Sequence, residues 1–414
     1  MRKINQFAVI LSALTLTMAM TACNESTSAE DTEEILESVT EEITETEAPV
    51  EAETENADIL RIAEQGMFSS GGIISSAVSG EYDPEQSWKD ESRAGNTAHI
   101  DHANVLYQIP AEDNGNPIVY LHGYRQSRMC WMTTPDGRDG FSTLFLKNGH
   151  SAFLIDQPRR GEAGAAMEIS KDTEFDMWYG DLTTDEDEEI ELPETATKYQ
   201  PGDQAWYTYY RIGETMDKTN KDSQFPVEGD ALNQFLRQAT PNTGDYDKVV
   251  ISKAVGEVMN DVHKLTGQKA IFMAHAQGCA TAWDLSVENL SAIIAIEPIT
   301  VPSTSSAQYK KLLEAEIPIV IYFGDYIFEK ENDADDENDN DEEKLNLAST
   351  AYWQGIHEKV VAFAEQYQAD GGDCTVIDLP EEGIEGNSHF LFQEKNNQEI
   401  AQHIEKWLTQ HKLN

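Results

Sequence analysis

The sequence predicts an α/β fold in which a mostly parallel β-sheet is covered by helices. Short, continuous apolar runs recur along the chain, each typical of a strand that is buried on both faces. Helical spacing of apolar residues lies between several of these runs, over 255–265 and 352–367. Alternation of this kind indicates parallel strands joined by crossover helices. The apolar runs are 118–121, 152–155, 270–274, 292–296, 319–323 and 374–379.

The segments before and after this alternation are predicted from different residue patterns. Residues 66–74 and 98–110 are expected to form antiparallel strands with tight turns. The last helix carries its apolar residues on one face over 400–408. Asn396 is its predicted N-cap, and Glu399 at the third helical position would complete a capping box.

Two polar stretches interrupt the alternation. Residues 165 to about 248 are polar and rich in aromatic side chains, and they have the size and place of a lid over the carboxyl edge of the sheet. Residues 329–344 form an acidic loop, with ten acidic residues and one lysine between Glu329 and Glu343. The loop lacks EF-hand order and the glycine at its sixth position. We therefore expect a solvated acidic insertion and no metal site.

Composition excludes some classes of partner. The chain has 414 residues, 39% of them apolar, which is enough for a sizeable core. Its 76 acidic and 29 basic residues give a formal charge of −47. Such a field repels phosphate backbones and anionic lipid surfaces. Neither nucleic-acid binding nor electrostatic docking on a membrane is expected.

The amino terminus has the features of an export signal. Residues 1–22 combine a basic start, an apolar stretch and a small-residue cleavage site. Cys23 follows that site, as in the bacterial lipobox, where the cysteine receives a diacylglycerol; the alternative is an ordinary signal peptide with a chance cysteine. Residues 23–58 are acidic and poor in aromatic residues, which predicts a disordered tether. The folded domain is predicted over 59–414, outside the cytoplasmic membrane.

Cysteine usage gives no framework and no metal motif. Beyond Cys23 the chain has Cys130, Cys279 and Cys374. An odd number cannot form a complete set of disulfides, so one bridge with a free thiol and three buried thiols both stay open. No CxxC pair or histidine–cysteine cluster predicts zinc. We expect no cofactor.

Residues 274–278 have the frame of a nucleophile elbow. They read AHAQG and follow an apolar strand directly, and their small side chains allow a sharp turn into a helix. The usual pattern is G-x-S-x-G, in which the serine projects above the sheet. Ala276 occupies the serine position here. A methyl group cannot form an acyl-enzyme, so the chemistry of this pattern is incomplete.

Three further segments stand where such an architecture places the rest of a hydrolytic site. The strand 118–121 ends in a His-Gly turn, and Gly123-Tyr124 would supply a backbone N–H to an oxyanion. Glu297 stands at the carboxyl tip of the strand after the elbow. His389 lies between the last strand and the last helix. The order nucleophile, acid, histidine is the α/β-hydrolase order.

Longer blocks of the chain resemble a family of secreted bacterial α/β-hydrolase esterases. The blocks are TPDGRDG at 134–140, DQPRRG at 156–161 and GNSH at 386–389. The resemblance extends from Gly66 to the carboxyl terminus, apart from the acidic insertions. It implies an α/β-hydrolase fold with a central, mostly parallel sheet, helices on both faces and an inserted lid.

The family's mechanism is Ser–His–Glu hydrolysis of carboxylic esters. By this resemblance His389 is the base and Glu297 is the acid. The oxyanion turn is Gly123-Tyr124, with Gln277 giving the second N–H. The nucleophile position is Ala276, and there the resemblance fails.

Alternatives accompany these assignments. His389 as an ordinary loop histidine is the plain alternative to a base. Asp325 follows the next strand and competes with Glu297, because many α/β-hydrolases take their acid from that position. His275 and Cys279 are expected to pack the elbow.

The two arginines of the DQPRRG block, Arg159 and Arg160, have two candidate roles. Both are expected to form salt bridges with the acidic lid, because that segment is rich in carboxylates. The alternative is that one of them orients a carboxylate of the substrate. Either role would bring these guanidinium groups close to the carboxyl edge of the sheet.

Three accounts of Ala276 stay open: an engineered substitution, natural loss of catalysis with retention of the pocket, and chemistry in which His389 activates water without a serine. The scaffold predicts a carboxylic-ester hydrolase that is impaired as written. A non-catalytic ligand-binding protein and a surface interaction protein are the alternatives. The expected partners are a small-molecule ester or related ligand and the membrane, through a lipid on Cys23.

Overall fold

The structure is a computed structural model, and the part from Leu60 onward belongs to one folded unit. The predicted signal peptide, Cys23, the tether, the first part of the lid and the acidic loop lie outside the described residues. Their boundaries stay predictions. The described residues are 59–76, 79–85, 94–164, 203–220, 222–328 and 349–414.

Eight strands form one sheet in the order β1-β2-β4-β3-β7-β8-β9-β10. The pairs β1–β2 and β2–β4 are antiparallel, and the other neighbours are parallel. A short hairpin of β5 and β6 stands apart from this sheet. The strands are β1 Ile62–Ser75, β2 Ala98–Pro110, β3 Ile118–Leu121, β4 Ala152–Asp156, β5 Gly213–Thr215, β6 Lys218–Thr219, β7 Ala270–His275, β8 Leu290–Ile296, β9 Ile319–Phe323 and β10 Cys374–Asp378.

Among the described residues, helices connect most of these strands, and four short 3₁₀ turns lie near the carboxyl edge of the sheet. The helices are α1 Met129–Met132, α2 Phe141–Lys147, α3 Asp203–Tyr209, α4 Ala231–Arg237, α5 Lys248–Thr266, α6 Cys279–Ala282, α7 Ala307–Glu314, α8 Thr350–Ala369 and α9 Asn397–Gln410. The 3₁₀ turns are Gly161–Ala163, Ala276–Gly278, Leu379–Glu382 and Leu391–Gln393.

The continuous apolar runs arise because both faces of the sheet are covered. Alternate residues of a strand point to opposite faces, and in β3 Val119 and Leu121 join one apolar cluster while Ile118 and Tyr120 join the other. Helices α5 and α8 contribute to the first cluster. Helices α2 and α9 contribute to the second. The sequence prediction of a mostly parallel sheet with helices on both faces is confirmed.

One local prediction was wrong. Helix α9 begins after Asn396 as expected, but the Asn396 side chain makes no capping hydrogen bond. It pairs instead with Asn387: Asn387 Nδ2 donates to Asn396 Oδ1 at 2.7 Å, and Asn396 Nδ2 donates to Asn387 Oδ1 at 3.0 Å. The capping box with Glu399 is therefore absent, because the pairing with Asn387 takes the side chain that would cap the helix.

The structure answers the question that the sequence left open about the cysteines. Cys130, Cys279 and Cys374 are free and buried, so of the two open possibilities the structure has three thiols. Among the described residues, no helix combines the length and apolarity needed to cross a bilayer. Over the same residues, no cluster of three or more histidine, cysteine, aspartate or glutamate side chains could hold a metal ion.

Candidate functional site

The candidate site forms where the parallel strands end. Loops that follow β3, β7, β8 and β10 carry the oxyanion turn, the elbow, Glu297 and His389 respectively. Because the carboxyl ends of parallel strands share one edge of a sheet, segments far apart in sequence meet there. The described part of the predicted lid, 203–220 and 222–248, contributes further side chains to the same edge.

The elbow has the geometry expected of a sharp strand-to-helix turn. Ala276 directly follows β7 at φ 47°, in the left-handed region that costs a residue with a Cβ roughly 1–2 kcal/mol. Gly278 is required by close approach: a Cβ there would lie 2.5 Å from the His122 carbonyl oxygen. The chain then enters helix α6 at Cys279. The turn that would project a nucleophile is thus present, with a methyl group at its apex.

Glu297 and His389 are brought together. Nδ1 of His389 lies 3.1 Å from Oε2 of Glu297, and both side chains are buried. Glu297 leaves β8 at φ 51°, a second left-handed residue at this edge. The competing acid does not reach the histidine: Asp325 instead accepts from the N–H groups of Tyr326 and Gly386. The geometry therefore favours Glu297 over Asp325 as the partner of His389.

Arg211 is a site residue that sequence reasoning missed. Its guanidinium lies 2.5 Å from Oε1 of Glu297, an oxygen that also accepts from the Gly324 N–H at 2.7 Å. Burial alone would raise the pKa of Glu297, but Arg211, His389 and the Gly324 amide outweigh it and lower that pKa to about 2. Glu297 is therefore ionised at neutral pH. No local pattern marks Arg211, because it lies 86 residues before its partner.

The surroundings of His389 favour its neutral form. Burial lowers its pKa, and the charge of Arg211 adds to this, while the bond to Glu297 acts in the opposite direction. Its ring lies between Tyr210, with centroids 4.9 Å apart, and Trp353, with centroids 4.4 Å apart. With Nδ1 directed at the carboxylate, Nε2 is buried without a hydrogen-bond partner. A neutral imidazole in this state has a free ring nitrogen available for a proton.

The oxyanion turn differs in one respect from the sequence prediction. The Gly123 N–H donates to Gln126 Oε1 at 3.1 Å, so this amide is engaged by the protein itself. The amides that remain for an oxyanion are those of Tyr124 and Gln277. A Cβ built on Gly123 would lie 3.1 Å from the Ala276 Cβ, which places the turn against the elbow.

Arg160 contacts the oxyanion turn through both of its residues. Its guanidinium donates to the Gly123 carbonyl oxygen at 2.8 Å and lies 6.0 Å from the Tyr124 ring centroid. It also binds Asn242 of the predicted lid, although not through a salt bridge. Arg159 pairs with Asp101 at 2.8 Å and with the Asp245 carbonyl. Neither arginine lines the cavity described below, so the structure gives no support to a role in orienting a substrate carboxylate.

The two expected packing residues of the elbow have different roles. Cys279 is buried, its Sγ donates to the Ala274 carbonyl at 3.1 Å, and burial raises its pKa. That thiol is an inert packing group, as predicted. His275 does more than pack: its ring nitrogens lie 2.8 Å from Gln126 Oε1 and 2.9 Å from the His389 carbonyl oxygen. It therefore connects the oxyanion turn to the loop of His389.

That loop has a second buried anchor in Glu394. Its carboxylate accepts from the Ser388 N–H at 2.9 Å and from Asn387 Nδ2 at 2.7 Å. Burial raises the pKa of Glu394 to about 7, against the opposing effect of these donors. The backbone on which His389 stands is thus fixed by contacts to His275, Asn396 and Glu394.

A cavity of about 380 Å³ opens beside Ala276. Helix α3 and Tyr210 of the predicted lid form one wall, and Tyr352 and Trp353 of helix α8 form another. His389 is not among the lining residues, but its ring contacts those of Tyr210 and Trp353, which are. The lining residues are Tyr124, Ala205, Trp206, Tyr209, Tyr210, Ala276, Gln277, Ile299, Tyr352 and Trp353.

Comparisons with known proteins bear on the fold and on the class of protein that the chain resembles. No protein-family model matches the chain. A probable secreted lipase, phiG, of a fungal species is 25% identical over 324 residues, which cover 70% of this chain and 81% of the lipase. The solved structure of a novel bacterial esterase superposes with a TM-score of 0.64 and 25% identity. It covers 85% of this chain and 97% of its own.

The chain has an α/β-hydrolase fold and is similar to a secreted lipase and a bacterial esterase. The strand order and the elbow at the carboxyl edge agree with this fold, as the sequence predicted. The residue at the apex of the elbow is Ala276. The side chains of His389 and Glu297, in contrast, are in contact with each other.

The left-handed backbone at Ala276 has a consequence for stability. Ala276→Gly should raise the free energy of unfolding by roughly 0.5–1 kcal/mol, because glycine adopts φ 47° without steric cost. Ala274→Gly removes the same methyl group from the extended strand β7 and should lower stability by about 1 kcal/mol. Urea denaturation measures both. Equal destabilisation by the two changes would contradict a strained elbow.

The buried ion pair of Arg211 gives a second prediction. Arg211→Met should lower the free energy of unfolding at pH 7 by about 3–5 kcal/mol, because it leaves the Glu297 carboxylate with one charge partner fewer. Adding Glu297→Gln should recover part of that loss. The exposed pair Arg237–Asp230 is the control, and Arg237→Met should cost at most about 1 kcal/mol.

The pH dependence of the Arg211→Met effect follows from the pKa of Glu297. A carboxyl whose pKa falls from 4.5 to about 2 on folding contributes stability that is fully present above pH 4.5. That contribution is lost as the pH falls from 4.5 towards 2. The difference between the parent chain and the Arg211→Met variant should therefore shrink over this window. A difference independent of pH would indicate that Arg211 acts by packing alone.

Proposed function

We propose that this chain is an ester-binding α/β-hydrolase, held outside the cytoplasmic membrane by a lipid on Cys23, whose Ser–His–Glu mechanism lacks only its nucleophile. The proposal is supported by a strained elbow and a histidine–carboxylate pair that lie at the same edge of the sheet. Ala276 sits at a strained elbow, while His389 contacts Glu297 and keeps a buried, unpartnered Nε2. The similarity to a secreted lipase and a bacterial esterase supports the substrate class.

The missing step is formation of the acyl-enzyme. With a serine at the elbow, its oxygen would attack the ester carbonyl carbon while His389 Nε2 took the hydroxyl proton. The N–H groups of Tyr124 and Gln277 would stabilise the oxyanion. The alcohol would then leave with the proton from His389, and water would release the acid by the same route. Ala276 blocks the first bond, so the chain binds the ester without this turnover.

Slow hydrolysis by water is the second candidate activity. The free Nε2 of His389 favours it, because a water molecule bound there could lose a proton to the imidazole as it attacked the carbonyl. Binding and an oxyanion hole alone retain roughly 10³–10⁴-fold catalysis over water in a serine protease. Such activity would be weak and would depend on His389.

Restoring the hydroxyl is the decisive experiment. Ala276→Ser should gain esterase activity on short p-nitrophenyl esters, on the order of 10²-fold or more over the parent, because the serine would supply the nucleophile that the proposed mechanism lacks. His389→Ala in the same background should abolish that gain.

Control variants distinguish the possible outcomes of this experiment. His389→Ala in the parent chain measures water-based hydrolysis, which should be small. If the serine variant stays inactive, although it folds and its cavity is unchanged, the proposed function is wrong. A gain that survives His389→Ala would contradict the assignment of the base.

Arg160 provides a test of the oxyanion turn. Its hydrogen bond to the Gly123 carbonyl polarises the peptide unit whose N–H belongs to Tyr124. In the Ala276→Ser background, Arg160→Met should lower kcat on the order of tenfold with KM little changed. The reason is that the polarised Tyr124 N–H would stabilise the oxyanion of the transition state rather than the bound ester.

Two comparisons separate this effect from a general loss of structure. Arg160→Lys keeps the charge and should recover part of kcat. Arg159→Met removes the adjacent arginine, which pairs with Asp101, and should leave kcat nearly unchanged. Equal losses in the Arg159 and Arg160 variants would exclude a specific role for Arg160.

A further inference from the structure

We infer that the cavity beside Ala276 accepts an uncharged ester that carries an aromatic ring. This inference rests on the proposed function and names its ligand. The cavity, at about 380 Å³, has the size of a small-molecule site and is enclosed mainly by rings. Six of its ten lining residues are aromatic, and none carries a charged side chain. Its polar groups are tyrosine hydroxyls, the Gln277 amide and the backbone.

The lining disfavours anions. Transfer of an ionised carboxylate into an apolar wall without a charge partner carries a large desolvation cost. Arg160 and Arg211 are near, but they lie behind rings of the wall and are engaged by other groups. Arg160 binds Asn242 and the Gly123 carbonyl, and Arg211 binds Glu297. Neither guanidinium is among the lining groups that would meet a ligand.

The same arginines disfavour cations. A cage of aromatic rings can bind a quaternary ammonium through the ring faces. Here the Arg211 guanidinium lies 4.9 Å from the Trp353 ring centroid, and that of Arg160 lies 6.0 Å from the Tyr124 ring centroid. Two wall rings thus already contact a cation, and a cationic ligand would meet like charge. A neutral ligand avoids both penalties.

The ring composition favours an aromatic over a saturated ligand. Aromatic pairs gain energy beyond that of area burial when they pack tilted or offset. The wall already uses this packing: the Tyr209 and Tyr352 ring centroids are 5.4 Å apart at 42°, and those of Trp206 and Tyr210 are 5.1 Å apart at 41°. Tyr352 lies at the mouth, 48% exposed, with Ile299 nearby at 36%. A ring entering the cavity would join this arrangement.

Matched ligand pairs test the inference on the chain as written, since Ala276 prevents acyl-enzyme formation. Calorimetric titration would compare methyl benzoate with methyl cyclohexanecarboxylate, and phenyl acetate with cyclohexyl acetate. Benzoate and benzyltrimethylammonium serve as the charged counterparts. The aromatic member of at least one pair should bind about three- to tenfold more tightly than the saturated member. Both ions should bind more weakly than that aromatic ester.

A matched pair of variants locates the effect. Tyr352→Leu keeps an apolar side chain at the mouth and should weaken binding of the aromatic ester about two- to tenfold, with the saturated ester little changed. Tyr246→Leu is the control, because Tyr246 is similarly exposed at 41% but does not line the cavity. Equal binding of aromatic and saturated esters, or tightest binding of either ion, would overturn the inference.

Failure of this inference is distinguishable from failure of the proposed function. Binding by the parent chain requires neither a serine nor the base. If the Ala276→Ser variant hydrolyses saturated and aromatic esters equally well, and the parent binds them equally, the ligand class is wrong and the function stands. If the parent prefers aromatic esters while the serine variant is inactive, the ligand class stands and the function is wrong.

Discussion

The buried carboxylate of Glu297 is the constraint on which the candidate site depends. A charge without solvent must be paired and hydrogen-bonded, and here its donors come from three separate segments: Arg211, the Gly324 amide and His389. Arg211 belongs to the described part of the predicted lid, Gly324 follows β9 and His389 follows β10. Satisfying one carboxylate therefore fixes the lid, the sheet edge and the base relative to one another.

Ala276, at the apex of the elbow, has a strained backbone conformation but lacks the nucleophilic side chain that such strain usually positions. Ala276 stands at φ 47°, and the close approach of Gly278 to the His122 carbonyl keeps the turn tight. His389, the candidate base, is likewise buried with its Nε2 unpaired, an arrangement that stability alone does not favour. Ester binding with a preserved acid–base pair accounts for both features.

The elements that depend on local residue patterns were predictable from the sequence. Strands such as 118–121 and 319–323 were found because burial on both faces leaves an unbroken apolar run. Glu297 and His389 were recognised from their positions after strands together with the resemblance to secreted bacterial esterases, which favoured Glu297 over Asp325. Arg211 carries no such pattern, since its partner is set by the tertiary fold. The cap at Asn396 was missed for another reason, because its side chain pairs with Asn387 of the preceding loop.

The central claim is that Ala276 occupies the nucleophile position of an otherwise assembled site. A crystal structure of the Ala276→Ser variant after reaction with a fluorophosphonate tests this most directly. The account predicts an adduct on the introduced serine, with the phosphoryl oxygen bound by the N–H groups of Tyr124 and Gln277 and with His389 still paired with Glu297. A variant that folds but forms no adduct, or an adduct oxygen directed away from those amides, would contradict it.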